Sequence, residues 1–149
     1  MNNTPQLNMF SFAKHIIETA HENSLNITNL QLQKVMYFTL QYALRYHLLD
    51  DDFVRNMYDE KFLVWRYGPV EKSIYEEYKI YGSDPITDEY ETLEPLNKLN
   101  SKIIELIKDN PFKLVRESHS EPFWQKNEQY IDGWRSTKAY NLENVASGE

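Results

Sequence analysis

Cysteine is absent from the 149 residues, which excludes disulfides, thiol nucleophiles and thiolate zinc sites. Glycine is scarce, at 4 residues, and neither a G-x-G-x-x-G loop, a Walker A loop nor a G-x-S-x-G elbow can be written from the chain. Long apolar runs are missing, and the opening Met1 to Phe10 stretch has no basic region followed by an apolar one. The expectation is a cytoplasmic protein with no membrane span and no signal peptide. An excess of positive charge is lacking too: 16 Lys and Arg stand against 23 Asp and Glu, a formal net charge of -7. Direct nucleic-acid binding is therefore not expected, since it rests on cations that neutralise phosphates.

What is present is ordinary globular material, 41% hydrophobic and 26% charged, in a length suited to one domain. Aromatic residues make up 14%, with 11 Tyr, 7 Phe and 3 Trp. Charge is unevenly spread. From Asp50 to Glu94, 13 acidic residues face 5 basic ones, a local net of -8. Such a stretch reads either as a solvated face or as a surface that steers a basic partner.

Periodicity gives a mainly α fold: a compact single-domain helical bundle around one long central helix, about 29–47, with a short β element near 61–66. Met1 to Asn8 reads as a polar arm, and Ser11 reads as the cap of a first helix from Phe12 to about Glu22. Thr28 and Gln31 have capping-box spacing and open the long helix. Along it Leu32, Val35, Met36, Leu40 and Leu44 recur at three and four. Leu48 to Asp59 reads as an acidic connector, and Lys61 to Arg66 as a strand. Gly68-Pro69-Val70 reads as a strand-to-helix switch, with a helix from Pro69 or Val70 to about Tyr81, ended by Gly82. A further helix runs from about Leu93 or Pro95 to Lys108 and breaks at Asn110-Pro111. Ser120 reads as the cap of a last helix that carries Phe123 and Trp124. The core spans about residues 10–129, followed by a variable tail with little periodicity.

Catalytic candidates are thin. Four His residues are present, and His119 with Glu121 is the one pair worth weighing as metal ligands. Neither a cofactor nor a metal is expected, and the chain does not read as an enzyme. Aromatic density around Gly68-Pro69 stands out: Trp65, Tyr67, Tyr75, Tyr78 and Tyr81 read equally as core filling and as exposed anchors for a partner.

Three blocks carry a resemblance. They are Ile27 to Phe38; Trp65 to Val70 with Ile74 to Lys79; and Leu114 to Glu121 leading to Phe123-Trp124. Together they resemble the Panacea domain of phage-associated, SocA-like proteins that serve as antitoxins. The resemblance covers about Phe10 to Gln129. It implies a mostly helical domain that binds and neutralises a toxin encoded beside it, as in a type II-like toxin-antitoxin pair, translation-inhibiting enzymes being among the toxins of such pairs.

The family's motif positions carry over as Leu32, Lys34, Trp65, Gly68, Pro69, Val70, Tyr75, His119 and Trp124. Of these, Gly68, Pro69, Val70 and Trp124 read as structural. Partner contacts are expected from Lys34, Trp65, Tyr67 and Glu71, and from Tyr75, Glu76, Tyr78 and His119. Lys34, on an apolar helix, must snorkel, pair with a carboxylate or face a partner. It is expected to join His119 in a polar cluster near the Gly68-Pro69 turn. A homo-oligomer stays open. The competing readings are a phage adaptor that delivers or blocks a host protein, and a small metal- or His-dependent hydrolase.

Overall fold

Asn8 and not Ser11 caps the first helix, α1 (Met9–Glu22). The computed structural model describes residues 7–149, so the rest of the expected polar arm lies outside the described residues. The Asn8 side-chain oxygen accepts from the Ser11 amide at 2.8 Å, and the Asn8 amide donates to the Ser11 hydroxyl at 3.3 Å. Ser11 is thus the far half of a capping box, and the helix starts three residues before Phe12. The box expected of Thr28 and Gln31 is present and opens α2 (Asn29–Arg45). That helix stops two residues short of 47, where the chain turns through Tyr46 and His47, the latter at a φ of 51°.

The described residues are mostly helical, with eight α-helices and one two-stranded sheet. The acidic connector contains a helix of its own, α3 (Asp51–Met57), with Val54 and Met57 buried. Asp51 and Asp52 in its first turn complement the positive end of the helix dipole, so acidity there favours a helix over a loop.

The β element is a hairpin and not a lone strand. β1 (Phe62–Trp65) pairs antiparallel with β2 (Gly68–Glu71), Trp65 lying opposite Gly68 across the Arg66-Tyr67 loop. The expected helix start at Pro69 or Val70 is overturned, because Pro69 sits in the edge strand of a two-stranded sheet, a place that tolerates its missing N–H. Helix α4 (Lys72–Tyr78) begins only after Glu71, whose carboxylate accepts from the Ser73 amide at 3.2 Å and the Ile74 amide at 2.9 Å. A 3-10 turn, Lys79–Tyr81, continues it to Gly82 at a φ of 60°.

The helix expected from Leu93 or Pro95 is in part 3-10, over Glu94–Leu99, before α5 (Asn100–Lys108). Asn110 then caps α6 (Pro111–His119). Ser120 closes α6 through its backbone amide instead of capping the next helix, and α7 (Pro122–Asn127) starts from Glu121 with Pro122 in its first turn.

The end of the chain is part of the core and not a loose tail. The Val64 amide donates to the Lys138 carbonyl at 2.8 Å and the Tyr140 amide to the Phe62 carbonyl at 2.8 Å, so residues 138–140 run along the free side of β1. Helix α8 (Leu142–Ser147) then packs on α2. Tyr140 and Val145 are fully buried, Tyr140 against the rings of Tyr37 and Phe123, which moves the core boundary past 129. α2 touches α1, α4, α5, α6, α8 and β2.

Candidate functional site

The β1–β2 hairpin is held by side-chain donors that reach three of its carbonyls. The Lys34 ammonium of α2 donates to the Pro69 carbonyl at 2.6 Å, and the Trp124 indole of α7 donates to the Trp65 carbonyl at 2.9 Å. The His119 Nε2, at the end of α6, donates to the Arg66 carbonyl at 2.7 Å. His119 also stacks on Trp124, ring centroids 3.9 Å apart and 22° from parallel. Beside Lys34, the Gln33 side-chain amide bonds Glu71 twice, accepting from its N–H at 2.7 Å and donating to its carbonyl at 3.2 Å. Two consecutive residues of α2 thereby satisfy the edge of β2 as a third strand would.

The expected polar cluster of Lys34 and His119 at the Gly68-Pro69 turn therefore exists, with a different role for Lys34. Its amine neither snorkels nor meets a carboxylate nor faces outward: it is fully buried, and its one hydrogen-bond partner is the Pro69 carbonyl. Burial pushes it down to about 7. Burial also lowers His119, helped by the nearby Lys34 and opposed by the bond to Arg66. Gly68 closes the cluster. It stands at a φ of 98°, and a Cβ there would lie 2.4 Å from the Ser118 hydroxyl and 3.1 Å from Lys34 Nζ.

On the flank of the hairpin lies a cavity of about 410 Å³, within the range of small-ligand sites. Trp65, Tyr67, Val70 and Tyr75 from the hairpin and α4 line one part, Asn29, Leu30 and Gln33 from the first turns of α2 another. Phe112 of α6, Trp134 and Lys79 complete the wall. Tyr67, Phe112 and Trp134 are 55%, 61% and 41% exposed.

Of the expected partner contacts, Trp65, Tyr67 and Tyr75 thus line one cavity, and Val70 belongs there too. Lys34, Glu71 and Tyr78 are fully or almost fully buried away from any surface. Glu71 is spent on capping α4, with burial raising its carboxyl and its hydrogen bonds to Ser73 and Ile74 lowering it. Tyr78 packs in the core and its hydroxyl meets that of Tyr90 at 2.7 Å. These three are withdrawn as contact residues: periodicity shows which face a side chain takes, not what covers that face. Glu76 is partly exposed and binds Lys79 and, at 3.5 Å, Arg135. Trp124 is buried as expected, beneath His119.

Trp134 and Arg135 stand in the segment after Tyr130, where no period marks the face they take. A tight turn, Asp132 to Arg135 around Gly133, places them, and Arg66 fastens it by donating to the Gly133 carbonyl at 2.8 Å. Trp65, Tyr75 and Trp134 meet edge to face, with centroids 5.3 to 6.0 Å apart. The Arg135 guanidinium sits 4.7 Å from the centroids of both tryptophans, a cation–π contact that stiffens one side of the wall. Phe112 offers one local signal in the sequence, an apolar residue directly after Asn110-Pro111.

Among the described residues no group of three or more His, Asp or Glu side chains is placed to hold a metal ion. No described helix is long and apolar enough to cross a membrane. No protein-family model, no curated protein and no solved structure matches the chain.

Proposed function

We propose that this chain is an antitoxin that neutralises a toxin encoded beside it by direct binding, without chemistry of its own. The observation that carries the reading is the placing of exposed aromatic residues. Of six exposed large apolar side chains among the described residues, three, Tyr67, Phe112 and Trp134, border one cavity. Tyrosine and tryptophan at a concave site are the usual anchors of a protein interface. The three sequence blocks that resemble the Panacea domain support the same reading, since the second block supplies much of this wall. Neutralisation is then occlusion: the hairpin, held rigid by Lys34, His119 and Trp124, presents its aromatic flank, and the acidic stretch from Asp50 to Glu94 draws in a basic partner.

The test is co-expression with each adjacent open reading frame, scoring growth and co-purification together. One neighbour should be toxic alone, harmless with this protein and co-purified with it. Charge reversal at Glu76 and Glu77 should weaken the pair. Glu71 is unsuitable for that purpose, because reversing a buried cap unfolds α4. If no neighbour is toxic and none co-purifies, the antitoxin reading fails.

A further inference from the structure

Residues 66–70, the turn end of the hairpin, are held by little apolar surface. Arg66 and Tyr67 are exposed, Gly68 and Pro69 are small, and Val70 is the one branched aliphatic side chain that the segment buries. A two-stranded hairpin is marginal by itself, so its closure rests on bonds from other elements. β1 keeps residues 138–140 on its far side, whereas the edge of β2 meets the side chains of Gln33 and Lys34. The Lys34 amine, fully buried, lies 2.6 Å from the Pro69 carbonyl. A neutral amine is served by that one acceptor; an ammonium brings three donors and a charge to the same single carbonyl. The charged groups around it are engaged elsewhere. From β2, the Glu71 carboxylate caps α4 through Ser73 and Ile74. At the start of α7, the Glu121 carboxylate accepts from Tyr37 at 2.5 Å and from Gln41 at 2.7 Å. From the loop, the Arg66 guanidinium donates to the Gly133 carbonyl. His119 of α6 is a second titratable group beside Lys34, and Glu128, just after α7, acts on His119.

We propose that residues 66–70 are a proton-operated gate: loss of a proton from Lys34 closes the turn on α2, and uptake of one releases it while the rest of the fold stays assembled. Tyr67 and Val70 line the aromatic cavity, so release takes away one side of its wall. The gate itself does not depend on what occupies the cavity; that its opening frees a toxin rests on the reading above. The direction follows from the two states. Closed, the amine is held at about 7 by burial, with no neighbouring charge to restore it; released, it returns to water and to 10.5. The released state therefore binds more protons between those values, and rising pH favours closure by at most about ten-fold per pH unit. Below that window both states carry the ammonium, and Lys34 adds no further dependence. His119, lowered by burial, takes up its proton below its ordinary 6.5 and acts in the same direction, towards release.

Amide hydrogen exchange of the full chain at pH 7, 8 and 9, each rate divided into that of an unstructured peptide at the same pH, reads the gate. The Arg66 amide, which donates to the Trp134 carbonyl at 2.9 Å, and the Glu71 amide, which donates to Gln33 at 2.7 Å, flank it. Ile16 and Ile17 of α1, both fully buried, report opening of the molecule as a whole. Protection at Arg66 and Glu71 should lie at least about ten-fold below that of Ile16 and Ile17 at pH 7, and should rise about 50-fold from pH 7 to pH 9. Lys34→Met, of similar length with no proton to bind, should remove the rise. Protection equal to that of α1, which means release only by global unfolding, overturns the gate. So does low protection that stays level with pH, or a rise that survives Lys34→Met. Where Lys34→Met fails to fold, the profile of the unaltered protein decides. Each of these failures leaves neutralisation by co-expression standing, and a working gate in a protein with no toxic neighbour refutes the antitoxin reading alone.

Discussion

At Lys34 an ionisable side chain is enclosed without a counter-ion, and its consequence is a dependence on pH. With its amine at about 7 in the folded protein and 10.5 when unfolded, the unfolded chain binds more protons between those values. Stability therefore rises with pH across that window, by up to ~1.4 kcal/mol per pH unit. Urea unfolding at pH 7, 8 and 9 should show the rise, and Lys34→Met should flatten it. A level profile in the unaltered protein contradicts the burial of a titrating amine. His119, lowered by burial, titrates below the window, and the buried Tyr37, Tyr58, Tyr78 and Tyr140, all raised by burial, titrate above it. Gly68 is the second residue on which the cluster turns. Gly68→Ala combines a left-handed φ with a 2.4 Å approach to the Ser118 hydroxyl, and should cost about 2–4 kcal/mol, read as a lower urea midpoint.

Among the elements, the hairpin depends on helices distant in sequence. The His119 bond to Arg66 spans 53 residues and the Trp124 bond to Trp65 spans 59. His119→Ala removes a hydrogen bond and a stacked ring, and should cost about 1–2 kcal/mol. Amide exchange at Arg66, whose N–H donates to the Trp134 carbonyl, should accelerate by about 5–30-fold, while exchange in α1 changes little. The segment along β1 is just as integral. Tyr140 is fully buried and its hydroxyl has no partner. Tyr140→Phe should be neutral or slightly stabilising, whereas Tyr140→Ala should cost about 3–5 kcal/mol, both read from thermal unfolding.

For the molecule as a whole, the expected partner surface combines an aromatic flank with a charge field, and the two have different signatures. Phe112→Ala and Tyr67→Ala touch exposed rings and should leave the Tm nearly unchanged, since substitutions on an open surface stay within about 0.5 kcal/mol. If the proposed antitoxin function holds, each should nevertheless weaken co-purification with the neutralised toxin about ten-fold or more, as removal of an anchor does. Steering by the acidic stretch acts on encounter. Raising the salt from about 0.1 to about 0.5 M should slow association and leave dissociation almost unchanged, which stopped-flow measurement separates.

The helical class, the Thr28–Gln31 capping box and the aromatic character of the region around Gly68 could all be read from order and spacing, because they depend on residues within a turn or two of one another. The polar cluster was legible as well: a lysine in an apolar stripe must find a polar partner, although the identity of the Pro69 carbonyl was not. The second strand, the withdrawal of Glu71 and Tyr78 from the surface, and the docking of residues 138–147 were decided by packing alone. Each depends on contacts between segments tens of residues apart. Gln33 and Lys34 satisfy the β2 edge from another element, and β1 receives residues 138–140 along its other side. The cavity belongs to that second group, since its wall joins α2, the hairpin, α6 and the Trp134 turn. Local hydrogen bonds and periodicity act along the chain and leave a trace in its order, whereas a shared wall exists only once desolvation has brought distant faces together.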